Sequence, residues 1–165
     1  MNSWLQNIGR LLVVVLLQVL LINNLHFLGL CNPCIYILFL FALPATLPRW
    51  TELLIGFALG LLMDMFCNSL GVHTIACTAI AYLRPILLAN LLQDNDRITG
   101  SVCGMSIGMI NYVKIVVILT LLHHTLLFTM AAFSFHNWWL TLLQILISSA
   151  VSIGIILLYD LFKTR

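Results

Sequence analysis

Three long stretches of the sequence contain neither lysine nor arginine, and they lie at residues 11–48, 53–83 and 115–159. About 20 apolar residues cross the hydrocarbon core of a membrane as one helix, so each stretch is too long for a single span. Turn-forming or interfacial residues lie near the middle of each stretch, at residues 23–33, 68–71 and 134–139. The pattern predicts an all-α integral membrane protein whose six transmembrane helices form three hairpins.

The composition agrees with this class of protein. The chain is 62% hydrophobic and only 7% charged, with a mean hydropathy of +1.13, whereas about a quarter of the residues in soluble domains are charged. We expect a single polytopic membrane domain over residues 1–165, with spans at residues 10–28, 34–48, 52–67, 72–92, 108–130 and 139–161. A net charge of +2 that is spread along the chain gives no nucleic-acid footprint.

The basic residues predict the orientation in the membrane. All seven belong to the termini, to the predicted inner loops or to helix ends near them, and positive charge on short loops marks the cytoplasmic side. Both termini are therefore expected in the cytoplasm. Trp138 and Trp139 suit the outer interface, and Trp4 and Trp50 suit the inner one.

Two of the predicted spans depart from an ideal length. The second contains Pro44, which removes a backbone donor and tends to kink a helix. In the fourth, Arg84 and Pro85 follow Gly71 before a full span is complete. We expect Arg84 either to snorkel to the inner water or to remain in the membrane and pair with an acid, with the helix continuing through residues 86–92.

Asp64 is a carboxylate inside an apolar stretch. Between Glu52 and Arg84 the only other charged or imidazole side chain is His73. A lone charge in a bilayer costs about 2.5–3.5 kcal/mol on insertion scales, so a chain retains one where a partner, a cavity or a task offsets that cost.

The partner of this carboxylate is open at the level of sequence. Arg84, Lys114, His73 and the backbone donors of the turn at residues 68–72 are candidates, and the turn or His73 requires the least reach. Two roles are also open: Asp64 fastens a helix hairpin, or it belongs to a proton or ligand site.

Glycines share the helix face of Asp64. Gly56, Gly60 and Asp64 are spaced at i, i+4 and i+8, so they line one stripe where another helix can approach closely. The same spacing at the start of the fifth span predicts a second close-packing face, formed by Gly100, Gly104 and Gly108.

The histidines and cysteines predict little chemistry. His123 and His124 lie on adjacent helix faces and are not expected to enter one site, while His26 and His136 lie in outer turns. Of five cysteines only one pair is close in sequence, and its spacing is typical of redox dithiols and of half a zinc site: Cys31 and Cys34.

The sequence lacks the other residues that a zinc site or a thiol oxidase would need. The second half of a zinc site is missing, as is another outer cysteine pair that could receive electrons, so two thiols or one incidental disulfide are expected. The sequence contains no HExxH, GxSxG, Walker loop or catalytic triad. We therefore expect no enzymatic activity, no metal and no cofactor.

Three segments carry a resemblance to a known family. Residues 56–66 read GFALGLLMDMF, residues 70–74 read LGVHT and residues 81–85 read AYLRP. In this order, with the embedded Asp64, they are similar to the central motif of the rod shape-determining protein MreD family. Chain length, scarcity of charge and the six-span count agree loosely over the whole chain, whereas the Cys31–Cys34 pair and the short second span depart from the family pattern.

The resemblance implies a non-enzymatic scaffold of the bacterial cell-elongation complex in the cytoplasmic (inner) membrane. Members of that family bind the bitopic protein MreC and, with actin-like MreB, help to place and activate a peptidoglycan synthase and its transpeptidase. The family fold resembles the substrate-binding subunits of energy-coupling vitamin transporters. The structural and interaction residues that this implies are Gly56, Gly60, Asp64, Gly71, His73, Arg84 and Pro85.

Two other functions stay open. A transporter substrate-binding subunit shares this composition but requires polar residues that converge on an outer pocket. The outer turns offer polar side chains but no long aromatic loop to close over a ligand: Asn23, Asn24, His26, Asn68, Ser69 and His73. The second alternative is a membrane thiol oxidoreductase that uses Cys31 and Cys34.

Overall fold

The computed structural model describes residues 3–22, 31–91, 102–132 and 137–163, and their regular structure is helical. Helix α1 continues directly into a π-helical turn at Gln18–Ile22. The α-helices are α1 (Ser3–Leu17), α2 (Ile37–Phe41), α3 (Arg49–Cys67), α4 (Val72–Leu91), α5 (Gly104–Ile107), α6 (Met109–Ala132) and α7 (Trp138–Lys163).

Four of these helices are long and apolar enough to cross a membrane. They lie at Arg49–Cys67, Val72–Leu91, Met109–Ala132 and Trp138–Phe162, close to the last four predicted spans. Large apolar side chains on their outer faces are exposed, as lipid-facing residues are: Leu54, Phe57, Ile118, Leu146 and Leu158. The chain is therefore an all-helical protein of the multi-pass membrane type.

The first two predicted spans are less regular. The apolar part of the first helix, Leu11–Leu20, is shorter than a span, and residues 23–28 of that predicted span lie outside the described residues. In the second predicted span only Ile37–Phe41 is helical, and residues 36–43 are buried. Irregular backbone at membrane depth is tolerated where protein surrounds it, which is the situation here. The six-span count and the cytoplasmic termini stay predictions.

Helix α4 occupies the middle of the packed helices. It forms a hairpin with α3, packs against α6 on another side and also contacts α2, while α6 packs on α7. Its buried side chains include the small residues Ala76, Cys77 and Ala81. Small residues at a helix interface allow the backbones to approach closely. As expected, α4 continues past Pro85, and it ends at Leu91.

The second glycine repeat does not form the expected packing face. Gly104 belongs to the short helix α5, and Gly108 has a φ of +81° at the break between α5 and α6. Because the backbone changes direction at Gly108, the repeat cannot lie along one helix. Gly104 instead donates its N–H to Asp160 Oδ2 at 3.0 Å, which ties α5 to α7. Gly100 lies outside the described residues.

Candidate functional site

Asp64 fastens the turn between α3 and α4. Its Oδ1 accepts hydrogen bonds from Ser69 Oγ at 2.5 Å and from the His73 N–H at 3.0 Å. Its Oδ2 accepts from the Thr74 N–H at 2.8 Å and from Thr74 Oγ1 at 2.5 Å. His73 and Thr74 stand in the first turn of α4, where backbone N–H groups lack helical partners and a negative charge is favoured. Gly71 precedes α4 without a side chain to cap it, so Asp64 supplies that cap from the preceding helix.

The backbone of the turn is arranged around the same residue. The Asp64 carbonyl accepts hydrogen bonds from the N–H groups of Asn68 and Ser69, which end α3. Asn68 adopts the left-handed conformation with φ 51°, and Gly71 has φ 85°, a value that glycine adopts without strain. The carboxylate therefore bonds to the Ser69 side chain in the turn and to the backbone N–H groups of His73 and Thr74, and not to Arg84. The predicted backbone donors at residues 68–72 do not bond to it; the donors lie just beyond them. Lys114 is exposed on α6.

The stripe of Gly56, Gly60 and Asp64 lies directly against α4. A Cβ atom placed on Gly60 would be 2.7 Å from the carbonyl oxygen of His73, and one placed on Gly56 would be 2.6 Å from Ala81 Cβ. Real Cβ atoms essentially never come so close to another heavy atom. The missing side chains thus bring α3 and α4 into backbone contact and place Asp64 at the start of α4.

Arg84 remains inside the protein and pairs with an acid. That acid is Glu52 and not Asp64. Its Nη1 lies 2.5 Å from Glu52 Oε1, and the side chains are 1% and 2% exposed. Its Nη2 donates to the carbonyl oxygens of Phe41, at 3.3 Å, and Leu43. Arg84 therefore joins α3, α4 and the irregular chain that follows α2. Pro85, the next residue, is half-buried inside α4.

A third polar cluster lies between these two. The Tyr36 hydroxyl is 2.8 Å from His73 Nδ1 and 2.9 Å from His123 Nε2, and all three side chains are buried. We call these three residues the tyrosine–histidine network. Nδ1 of His123 is buried and has no hydrogen-bond partner among the described residues. The network joins the chain before α2 to α4 and α6.

His124 belongs to a separate set of bonds. Its Nδ1 donates to the Thr120 carbonyl at 2.9 Å, so its Nε2 accepts from Ser152 Oγ at 3.3 Å. Ser152 in turn accepts the N–H of Cys34 at 3.0 Å. The two adjacent histidines thus enter different contacts, as predicted, and both are fully buried. His26 and His136 lie outside the described residues.

A cavity of about 420 Å³ opens beside the α3–α4 turn, and we call it the turn cavity. Polar and apolar side chains both line it: Gln18, Asn32, Cys34, Phe66, Cys67, Ser69, Val72, His73, Leu127, Phe128 and Ala131. Among the described residues no three His, Cys, Asp or Glu side chains come close enough together to hold a metal ion. The turn cavity is therefore a recess with a mixed polar and apolar lining.

The two cysteines of the close pair are both free thiols. Cys34 is 1% exposed, and its Sγ lies 3.8 Å from the carbonyl oxygen of Asn32. Burial raises the pKa of the Cys31 thiol. Reactive cysteines are usually exposed thiolates with a lowered pKa, so this environment favours the reading of two unreactive thiols.

A shallow apolar groove of about 440 Å³ runs along the outer side of the α3–α4 hairpin, and we call it the hairpin groove. Its lining combines large side chains with small ones: Leu53, Phe57, Thr74, Ile75, Thr78, Ala79 and Tyr82. Thr74 also donates two hydrogen bonds to Asp64, so the carboxylate holds part of the groove wall. A comparison of the chain with family models, curated proteins and solved structures finds no match.

Proposed function

We propose that this chain is a non-enzymatic membrane scaffold of the MreD type. In this proposal it spans the bacterial cytoplasmic membrane six times, with both termini inside, and binds MreC directly. Through MreC and MreB it helps to position the peptidoglycan synthase and transpeptidase that maintain rod shape. The three MreD-like segments support the proposal, because all of them belong to the α3–α4 hairpin.

One observation carries the scaffold reading. The Asp64 carboxylate accepts four hydrogen bonds, from Ser69, His73 and Thr74, and all of them close the hairpin. A carboxylate that holds backbone N–H groups at a helix start stabilises that junction, whereas a proton carrier requires a partner to which it can pass its proton. The geometry favours the hairpin-fastening role over the proton or ligand site.

The hairpin groove is the surface that we assign to the membrane helix of MreC. Within lipid, helices associate by close packing, and small residues such as Ala79 and Thr78 permit it. Phe57 and Tyr82 are 49% and 58% exposed, so an incoming helix can bury their side chains. Because Thr74 lines the groove and bonds to Asp64, loss of the carboxylate should disturb this surface.

Replacing Asp64 by Leu tests the proposal in cells and in detergent extracts. We expect loss of MreC co-purification and loss of rod shape, because the start of α4 loses its cap and Thr74 loses its anchor. If MreC still co-purifies with Asp64→Leu and the cells remain rod-shaped, Asp64 has no organising role.

A second pair of variants tests the surface without disturbing the hairpin. Ala79→Trp fills the hairpin groove, while Leu158→Trp places the same bulk on an exposed position of α7. We expect only Ala79→Trp to reduce the amount of MreC recovered. Equal recovery of MreC with both variants would show that MreC binds a different surface.

The turn cavity favours one alternative, a substrate-binding subunit of a small-molecule transporter. Polar residues from separate elements converge there, including Asn32, Ser69 and His73, as such a subunit requires. A small molecule that stays bound through purification and is identified by mass spectrometry would support this alternative. Dependence of rod shape on the chain would support the scaffold.

A further inference from the structure

We propose that the turn cavity binds the neutral, hydroxyl-bearing headgroup of an amphiphile. A sugar ring on an alkyl chain is the simplest molecule of this kind. The inference goes beyond the scaffold role and is independent of MreC, because the turn cavity and the hairpin groove share no lining residue among those that the structure describes.

The shape and lining of the turn cavity indicate an amphiphile. Its volume of about 420 Å³ lies within the range of about 300–1,000 Å³ that is typical of small-molecule pockets. Its polar lining residues include Asn32, Ser69 and His73. Its apolar lining residues include Phe66, Leu127 and Phe128. A ligand with a hydrogen-bonding head and an apolar body complements both sets of residues.

The charge of the lining indicates a neutral headgroup. No Lys, Arg, Asp or Glu is among the described residues that line the turn cavity. Asp64 lies behind Ser69 and is already bound by four hydrogen bonds. A charged group that enters an uncharged recess loses its hydration without gaining a counter-charge, which is unfavourable. A neutral head avoids that cost.

His73 supplies the most specific contact. His73 is 8% exposed and lines the turn cavity, and its Nδ1 is bound to the Tyr36 hydroxyl. Nε2 of His73 has no hydrogen-bond partner among the described residues, and it is not fully buried. It is therefore the ring nitrogen that a ligand can reach, held in place by the tyrosine–histidine network.

The network also explains why the ligand group should be a hydroxyl. If Tyr36 donates to His73 Nδ1, it accepts from His123 Nε2–H, and His73 Nε2 then carries a hydrogen and donates. If Tyr36 donates to His123 Nε2, it accepts from His73 Nδ1–H, and His73 Nε2 then accepts. The Tyr36 bonds are retained in both tautomers. A hydroxyl both donates and accepts, so it matches His73 in either tautomer.

Protection of a cysteine in the cavity wall tests the proposal. Cys67 lines the turn cavity and is partly exposed, whereas Cys34 and Cys77 are buried. In the full chain with Cys31→Ser and Cys103→Ser, reconstituted in lipid nanodiscs, maleimide should therefore label Cys67. We expect n-octyl glucoside to slow labelling about threefold at twice its Kd, since about one third of the sites are then empty.

Two further probes test whether the headgroup must be neutral and whether the ligand is a lipid-like amphiphile or a free sugar. Octyltrimethylammonium has the same chain length with a cationic head, and equal protection by it would overturn the proposal. Methyl glucoside lacks the chain: protection by it assigns the site to free sugars, and protection by the octyl compound alone assigns it to lipid-like amphiphiles. Absence of protection by octyl glucoside would also overturn the proposal.

Variants then place the ligand in the turn cavity. Ala131→Phe adds bulk to the cavity lining at a residue outside the tyrosine–histidine network, and His73→Leu removes Nε2; both should abolish protection. His73→Gln retains a hydrogen-bonding side chain and should restore it in part. Leu158→Phe, at an exposed position of α7, is the control and should leave protection unchanged. Protection that survives both Ala131→Phe and His73→Leu would place the ligand elsewhere and overturn the proposal.

Discussion

Arg84 and Glu52 form an ion pair inside the protein, with 2.5 Å between Nη1 and Oε1 and with both side chains almost fully excluded from solvent. The same guanidinium donates to the carbonyl oxygens of Phe41 and Leu43. These carbonyls belong to the buried chain at the end of α2, where the helical pattern stops and backbone oxygens require other donors. The Arg84 side chain therefore joins α4 to α3 and supplies hydrogen-bond donors to the irregular chain at the end of α2.

Removing one member of this pair should cost more than removing both. We expect Arg84→Met to lower the free energy of unfolding by about 3–5 kcal/mol, because it leaves Glu52 charged and buried without a partner. The double variant Glu52→Gln, Arg84→Met should recover part of that loss. Unfolding followed by circular dichroism in mixed micelles measures each value. Arg49→Met is the control, because Arg49 is exposed at the start of α3, the helix that carries Glu52; it should change the free energy of unfolding little.

The sequence predicts the four long helices well and the contacts between them poorly. Long apolar stretches, bounded by charged or turn residues, locate α3, α4, α6 and α7 to within a few residues, since hydrophobic length is a local property. The choice of Glu52 for Arg84 is not local. The two residues are separated by 32 positions, and their meeting depends on how the α3–α4 hairpin closes.

The candidate site divides in the same way. Gly56, Gly60 and Asp64 reveal a shared face by their spacing, and the turn beside Asp64 is near in sequence, so both contacts are predictable. Tyr36 lies in irregular chain and meets His73 and His123 only after α4 and α6 have packed. The sequence signal for this network is His123 inside an apolar span. Ionisable residues within a membrane are rare and usually face the protein interior.

A methyl group on Gly60 should separate α3 from α4. Its Cβ would lie 2.7 Å from the His73 carbonyl oxygen and also against the backbone of Thr74, which cannot move aside as a flexible side chain can. We expect Gly60→Ala to destabilise the protein by about 1–3 kcal/mol, as overpacking of a core does. Gly154→Ala on α7 meets nothing within 4 Å and is the matched control. Similar unfolding midpoints for both variants would contradict the close contact.

Loss of the Tyr36 hydroxyl should leave two buried imidazoles without a shared partner. We expect Tyr36→Phe to cost about 1–3 kcal/mol of stability, the usual cost of a buried polar group left unpaired. Tyr82→Phe removes the same atom at a side chain that is 58% exposed, and it should be neutral within error. Thermal unfolding of both purified variants compares them, and a neutral Tyr36→Phe would show that the hydroxyl is not needed by either histidine.

The scaffold and the thiol oxidoreductase make opposite predictions for the Cys31 and Cys34 pair. Both are free thiols, one is almost completely buried, and burial raises the pKa of the other, so neither has the environment of a reactive thiolate. We expect cells with the double variant Cys31→Ser, Cys34→Ser to grow and keep their shape nearly as well as the parent. The Cys34 N–H bond to Ser152 is a backbone contact and is retained. Growth rate, cell width and MreC recovery measure the effect, with Cys103→Ser as a control outside the pair. Complete loss of function in the double variant alone would favour thiol chemistry over scaffolding.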